Sequence, residues 1–191
     1  MRSLAITLPA HKFTLADYLP WENAQETRHE FYRGEIFAMV GARRLHGLVA
    51  LNLATMLKSA LKGSPCRAFI ESMKVQVGND AIFYPDVFVT CDAADLKTDM
   101  VFRHPSLIAE VLSDTQAYDR GLKFAAYRQL ESLKEYVLID PDTRRVEVFR
   151  RNERLNFELH DQTGHAELVL ESVGLQLPMA ELFDGVENTE N

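Results

Sequence analysis

The run Leu107-Ile108-Ala109-Glu110-Val111-Leu112 holds a single carboxylate among five apolar residues. A stretch this short and this apolar reads as a strand covered on both faces. An ionised carboxylate buried there without a partner is strongly unfavourable, so Glu110 has to meet a cation, either a basic side chain or a metal ion. A second acid occupies a comparable place: Asp86 follows Pro85 at the opening of the apolar strand Val87-Phe88-Val89. If the two strands are neighbours in one sheet, their acids converge. Two hard oxygen donors with open positions for water and phosphate suit Mg²⁺ or Mn²⁺. For the two acids taken alone, an ion pair at Glu110 and a turn cap at Asp86 are the commoner arrangement.

The elements around these acids are legible from periodicity. Thr14 and Asp17 form a capping-box start for a short helix with Leu15, Tyr18 and Leu19 on its apolar face before Pro20. Two β-rich runs flank Arg33-Gly34, which reads as a hairpin turn. Leu45, Val49, Leu53, Met56 and Ala60 recur at steps of three and four, predicting an amphipathic helix from Leu45 to Leu61. Strands are expected at Arg67 to Phe69, Lys74 to Val77 and Val87 to Thr90, with the turn Gly78-Asn79-Asp80 between the last two. A second helix from Tyr118 or Asp119 to about Leu130 precedes a buried strand, Tyr136 to Asp140. Strand, helix and strand in that order imply a parallel crossover within a mixed sheet. From Arg144 onward, short alternating runs at Val146 to Phe149, Leu155 to Leu159 and Ala166 to Leu170 predict an antiparallel meander, then a short helix from Pro178 to Phe183. One domain over residues 1–185 with a disordered tail at 186–191 is the expected organisation.

Composition narrows the class. The chain has 191 residues, 47% of them apolar, which is ample for a hydrophobic core. Two cysteines, Cys66 and Cys91, are too few for a disulfide scaffold or a Cys-rich zinc site, and they suit a reducing cytoplasm. The six histidines lack paired ligand spacing. No apolar run is long enough to span a membrane, and residues 1–9 lack the apolar core of a signal peptide. A net charge of −7 weighs against general coating of nucleic acid but leaves room for a local basic groove. Arg43, Arg44 and His46 at the start of the long helix are one place for a phosphate, since a helix N-terminus favours anions. A capping or packing role for His46 is equally open. Lys74 lies on a strand before that of Asp86 and could line the same groove or face solvent.

Several segments, taken in order, form a more specific signal. They are Arg28-His29-Glu30 with Gly34-Glu35, His46, Tyr84-Pro85-Asp86-Val87, Ala109-Glu110-Val111-Leu112-Ser113, Asp119 with Lys123 and Tyr127, and Tyr136-Val137-Leu138-Ile139-Asp140-Pro141. From about Phe13 to Phe183 this series resembles the PD-(D/E)XK nuclease superfamily and, more narrowly, the Uma-two family of restriction-endonuclease-like proteins. The resemblance implies an α/β fold with a mixed-sheet, restriction-endonuclease-like core, an N-terminal β-hairpin and a C-terminal antiparallel meander. It implies a metal-dependent endonuclease acting on nucleic acid, with DNA as substrate and Asp86 and Glu110 holding Mg²⁺ or Mn²⁺. The superfamily's lysine normally stands two residues after the glutamate, where this chain has Leu112. The resemblance assigns the missing cation to Lys123; spacing alone would make Lys123 a solvated partner of Asp119, four residues earlier. Glu30 falls where the family carries an acid near the active site, to ligate the metal, hold a water or orient Lys123. Pairing of Glu30 with Arg28 or Arg33 is equally compatible with the sequence. By fold-level analogy a homodimer would let two sites cut two backbones. Two other readings stand beside this one: a nuclease fold that binds nucleic acid or regulates without turnover, favoured by Leu112 and the net acidity, and a purely structural ion-pair network.

Overall fold

The computed structural model describes residues 13–113 and 116–187. Helix α1 (Leu15–Glu22) starts with the expected capping box: the Thr14 hydroxyl accepts from the Asp17 N–H, and the Asp17 carboxylate accepts from the Thr14 N–H. It continues through Pro20 to Glu22. The last turn is secured from outside, because Glu22 accepts the His29 N–H and the Tyr84 hydroxyl. Strands β1 (His29–Tyr32) and β2 (Glu35–Ala38) form the hairpin, with Arg33 at φ 50° and Gly34 at φ 91°. Positive φ at both central residues gives the turn the twist that two antiparallel strands need.

Helix α2 (Arg44–Ala60) buries Leu45, Val49, Leu53, Met56 and Leu57. Ala60 faces solvent, and Leu57 with Leu61 completes the apolar stripe instead. After β3 (Arg67–Ile70) and β4 (Lys74–Val77), the turn at Gly78-Asn79-Asp80 leads into a short strand, β5 (Ala81–Phe83), which the sequence reading passes over. Strands β6 (Val87–Thr90), β7 (Val101–Phe102) and β8 (Pro105–Val111) follow. The segment after β8 is π-helical over Tyr118–Lys123 and continues as α3 (Phe124–Tyr127). Strands β9 (Glu135–Asp140), β10 (Arg145–Arg151), β11 (Phe157–Asp161), β12 (Glu167–Leu170) and β13 (Leu175–Pro178) lead to α4 (Met179–Leu182).

These strands make a mixed α/β architecture. A six-stranded sheet runs β11-β10-β9-β8-β6-β3, a five-stranded sheet β2-β1-β5-β4-β7, and β12 pairs with β13. The crossover through α3 makes β8 and β9 parallel neighbours, as the order of elements implies. The expected meander holds for β10 and β11, and β9 pairs antiparallel on the other side of β10, but β12 leaves it. The Gln162 side chain both accepts from the Val169 N–H and donates to its C=O, holding β12 without a ladder to β11.

Alternation along β8 divides the core. Leu107, Ala109 and Val111 join the α2 side, whereas Ile108 and Leu112 join the α3 side with Tyr127 and Tyr136. Glu110 has the parity of Ile108, so it points toward α3. Cys66 and Cys91 stand opposite each other beyond the Arg67–Thr90 pair and are joined by a disulfide, a pairing that their separation in sequence does not announce. Val186 is buried against the core rather than part of a loose tail, because Arg144 donates to its carbonyl and α4 packs beneath it. Residues 188–191 and the N-terminal segment read for a signal peptide lie outside the described residues. No described helix is long and apolar enough to cross a membrane.

Leu53 on α2 is 1% exposed. Leu53→Ala is expected to lower the unfolding free energy by about 2–5 kcal/mol in urea titrations, by lost burial plus a residual cavity.

Candidate functional site

The β6–β8 register brings the two acids together. Val87 pairs with Ala109 and Phe88 with Ile108, so one further step places Asp86 opposite Glu110. The Asp86 N–H lies 3.4 Å from Glu110 Oε2, and the Val111 N–H donates to Asp86 Oδ2 at 2.7 Å. Asp86 sits in the link Tyr84-Pro85-Asp86, which crosses from β5 in one sheet to β6 in the other. Pro85 keeps the preceding residue extended, which suits a crossing segment.

Lys123 reaches this point from the π-helical turn. Its Nζ lies 3.0 Å from Glu30 Oε1, 3.3 Å from Glu110 Oε1 and 3.5 Å from Asp119 Oδ1. Lys123 is 7% exposed and Glu110 2%, so this is not the solvated helix position that spacing alone would assign. Glu30 comes from the hairpin sheet, and its Oε1 accepts the Tyr84 N–H at 3.1 Å. The Tyr127 hydroxyl donates to Glu110 Oε1 at 3.3 Å, and the Tyr136 hydroxyl donates to the Asp119 carbonyl at 3.0 Å, which anchors the widened turn. Leu112 is buried in the apolar cluster beside Phe88 and Tyr127. A lysine there would point into hydrocarbon, and Lys123 approaches Glu110 from the facing helix instead.

His46, in the first turn of α2, contacts Asp86 Oδ1 through Nε2 at 3.0 Å, while its Nδ1 is buried without a partner among the described residues. The other basic positions are arranged differently. Arg43 makes a two-pronged pair with Asp142 at 2.8 and 2.9 Å, and Arg44 is exposed at the start of α2. Lys74 is buried over the Tyr84 ring, 3.4 Å from Asn23 Oδ1. Asp119 and Tyr118 join the cluster, although periodicity marks them only as the start of a helix. Their signal in the sequence is an acid and an aromatic one turn before a lysine, a pattern shared by many surface helices.

Three carboxylates, those of Glu30, Glu110 and Asp119, thus face one ammonium, and Asp86 beside Glu110 pairs with His46. Burial drives the Glu110 carboxyl well above the usual range, with Asp86, Asp119 and Glu30 acting in the same direction against Lys123. Burial also raises Asp119, to about 6. For Lys123 burial favours the neutral amine, but Glu110 and Glu30 outweigh it and hold the ammonium well above its ordinary value. His46 is likewise raised: burial opposes the charge, and the hydrogen bond to Asp86 overcomes it.

A separate group, Asp92, Asp95 and His104, has ligand atoms within 4.8 Å of one another. Asp95 already accepts from the Arg103 and His104 N–H groups and from the Thr90 hydroxyl, and Asp92 accepts from the Ala94 and Asp95 N–H groups. These bonds account for the acids as staples of the loop between β6 and β8.

A family model described as Uma2, putative restriction endonuclease, matches residues 15–180. Two proteins of Synechocystis sp. (strain ATCC 27184 / PCC 6803 / Kazusa) are similar to this chain. The uncharacterized protein slr1290 is 32% identical over 180 residues, 93% of this chain and 95% of its own length. The uncharacterized protein sll1609 is 34% identical over 142 residues, 72% of this chain and 80% of its own. The crystal structure of a putative nuclease belonging to DUF820, from Anabaena variabilis ATCC 29413, superposes with a TM-score of 0.73 over 91% of this chain and 99% of that one. At 22% identity that likeness is one of fold.

Asp119 titrates near 3.8 when unperturbed and at about 6 in the folded chain. Its contribution to stability is therefore greatest below pH ~4 and is lost as pH rises through ~6. In chelator-treated protein, wild-type stability relative to Asp119→Asn should fall by up to about 3 kcal/mol across that interval, measured by urea unfolding at stepped pH. A difference that does not vary with pH would contradict the assignment.

Proposed function

The chain belongs to the Uma2 family of putative restriction endonucleases, and from that premise we propose that it is a metal-dependent endonuclease hydrolysing phosphodiester bonds in nucleic acid, with DNA as substrate. The observation that carries this reading is the meeting of Asp86, Glu110, Lys123 and Glu30, drawn from four separate elements, in one buried cluster. The donor set fits a hard dication. Two adjacent carboxylates suit Mg²⁺ or Mn²⁺, and such an ion would keep ionised the carboxyls that burial and mutual crowding push toward their neutral forms. Asp86 and Glu110 would hold it, and it would supply Lewis-acid polarisation at the phosphoryl group.

The remaining chemistry belongs to the chain. His46 and the Val111 N–H grip the two oxygens of Asp86, so the ligand is oriented before anything binds. Lys123 is kept charged by its three carboxylate neighbours and serves as a fixed positive charge for the attacking water or the phosphate oxygens of the transition state. Glu30, anchored by the Tyr84 N–H, aims that ammonium. Arg44, exposed beside His46 at the start of α2, receives the nucleic-acid backbone, and Arg43 shares that role through its exposed pair with Asp142. Lys74 acts through Tyr84, whose ring it covers. In this reading the protein acts as a homodimer that carries two such centres.

Cleavage assays on single- and double-stranded DNA in Mg²⁺ or Mn²⁺ test the proposal. Asp86→Ala, Glu110→Gln and Lys123→Ala should each lose roughly 100-fold or more in rate, with circular dichroism unchanged. Chelation should abolish the wild-type reaction. Equal activity in Asp86→Ala and wild type would defeat the proposal. Calorimetry that finds no Mn²⁺ binding while DNA binding persists would transfer the fold to a binding module without turnover.

A further inference from the structure

Two aromatic side chains border the cluster and have no part in the chemistry above. Phe37 pairs with Glu30 across the β1–β2 hairpin, and its ring centroid lies 5.6 Å from that of Tyr118, with the planes tilted by 49°. Tyr118 opens the π-helical turn and Lys123 closes it. In an α-helix, residues five apart point about 140° away from each other. The wider turn instead brings the Lys123 ammonium to 5.6 Å from the Tyr118 ring centroid. Turns of this kind inside helices occur frequently at functional sites. Both rings are half-buried, so each keeps an accessible edge, and Val40 just past the hairpin is 78% exposed.

The Tyr118 hydroxyl is the group in need of an explanation. It is buried yet has no hydrogen-bond partner among the described residues. Burial raises its pKa first and the neighbouring Glu30 carboxylate pushes the same way. The phenol therefore stays neutral and keeps a proton to donate. A buried donor left unsatisfied is unfavourable in the free protein and is accounted for when a ligand brings the acceptor.

We propose that Phe37 and Tyr118 form a nucleotide-holding wall of this site, in which Tyr118 Oη donates to a phosphate oxygen beside the scissile bond and the paired rings pack against the adjoining base. The inference rests on the nuclease reading of Asp86, Glu110 and Lys123 and adds a substrate class to it. An aromatic face accepts any base, so the wall positions without selecting sequence. A base inside a duplex stack cannot lie against it, whereas an unpaired one can. The substrates that fit are single strands, or duplexes with an unpaired nucleotide at the cut.

Tyr118→Phe removes only the hydroxyl, and Phe37→Ala removes the outer ring. Tyr118→Phe should leave the thermal midpoint equal or higher, because an unsatisfied buried group is gone, while kcat/KM on single-stranded DNA falls about tenfold. Phe37→Ala should weaken binding of a 2-aminopurine-labelled single-stranded oligonucleotide about tenfold, read by fluorescence in Ca²⁺, and reduce the preference for single over double strands. A lowered midpoint in Tyr118→Phe, or wild-type binding and cleavage in both variants, overturns the wall. If wild type cleaves and both variants match it, the wall fails and the nuclease reading stands. If wild type binds the oligonucleotide, both variants lose that binding, and no metal supports cleavage, the nuclease reading fails and the wall stands. Absence of both binding and cleavage in wild type removes both.

Discussion

The pairing of Glu110 with Lys123 is the constraint around which the rest is arranged. A carboxylate on a central strand, 2% exposed, has lost its water and must recover an equivalent interaction from the protein. Lys123 supplies it at 3.3 Å, but an ammonium so buried has the same requirement, and one carboxylate does not meet it. Glu30 and Asp119 complete its surroundings, and their charges create the opposite problem, an excess of acid. Buried pairs of this kind add little net stability, yet removing one partner alone strands the other. The crowding of acids that raises the Glu110 and Asp119 carboxyls is the feature on which the proposed metal site rests.

That cluster depends on two sheets being held together at one corner. Glu22 accepts from the His29 N–H and from the Tyr84 hydroxyl, so the end of α1, the hairpin and the link into β6 form one hydrogen-bonded unit. Tyr84 then fixes Glu30 through its backbone N–H. Two residues later Asp86 enters the second sheet and meets His46 from α2. The acids are consequently placed by backbone segments rather than by flexible side chains, which is what a centre needing fixed charge requires.

Much of the fold was legible in the residues themselves. The capping box at Thr14 and Asp17, the Arg33-Gly34 turn and the stripe on α2 are local signals, and each depends on spacings of four residues or fewer. Local signals failed where a distant group intervened. Helix α1 runs past Pro20 because Glu22 is held by residues of the hairpin and the β5–β6 link. Strand β12 leaves the meander because the Gln162 side chain takes the place of a neighbouring strand. The disulfide between Cys66 and Cys91 follows from the β3–β6 register, which spacing along the chain does not encode.

The same division runs through the site. By itself the sequence determined that Glu110 would be buried and would need a cation, because one charged residue among five apolar ones has no solvated alternative within a strand. It also marked Asp86, at the opening of an apolar strand, whereas Lys123 and Glu30 were singled out only by the resemblance to a nuclease family. Only the tertiary structure decided that Lys123 rather than a strand lysine meets Glu110, that Asp119, His46 and Tyr118 join them, and that Arg43 is engaged by Asp142. The reason is physical. Hydrophobic periodicity reports which way a side chain faces relative to its own element, whereas the meeting of charges depends on register between strands and on one π-helical turn, and both are set by packing across the whole core.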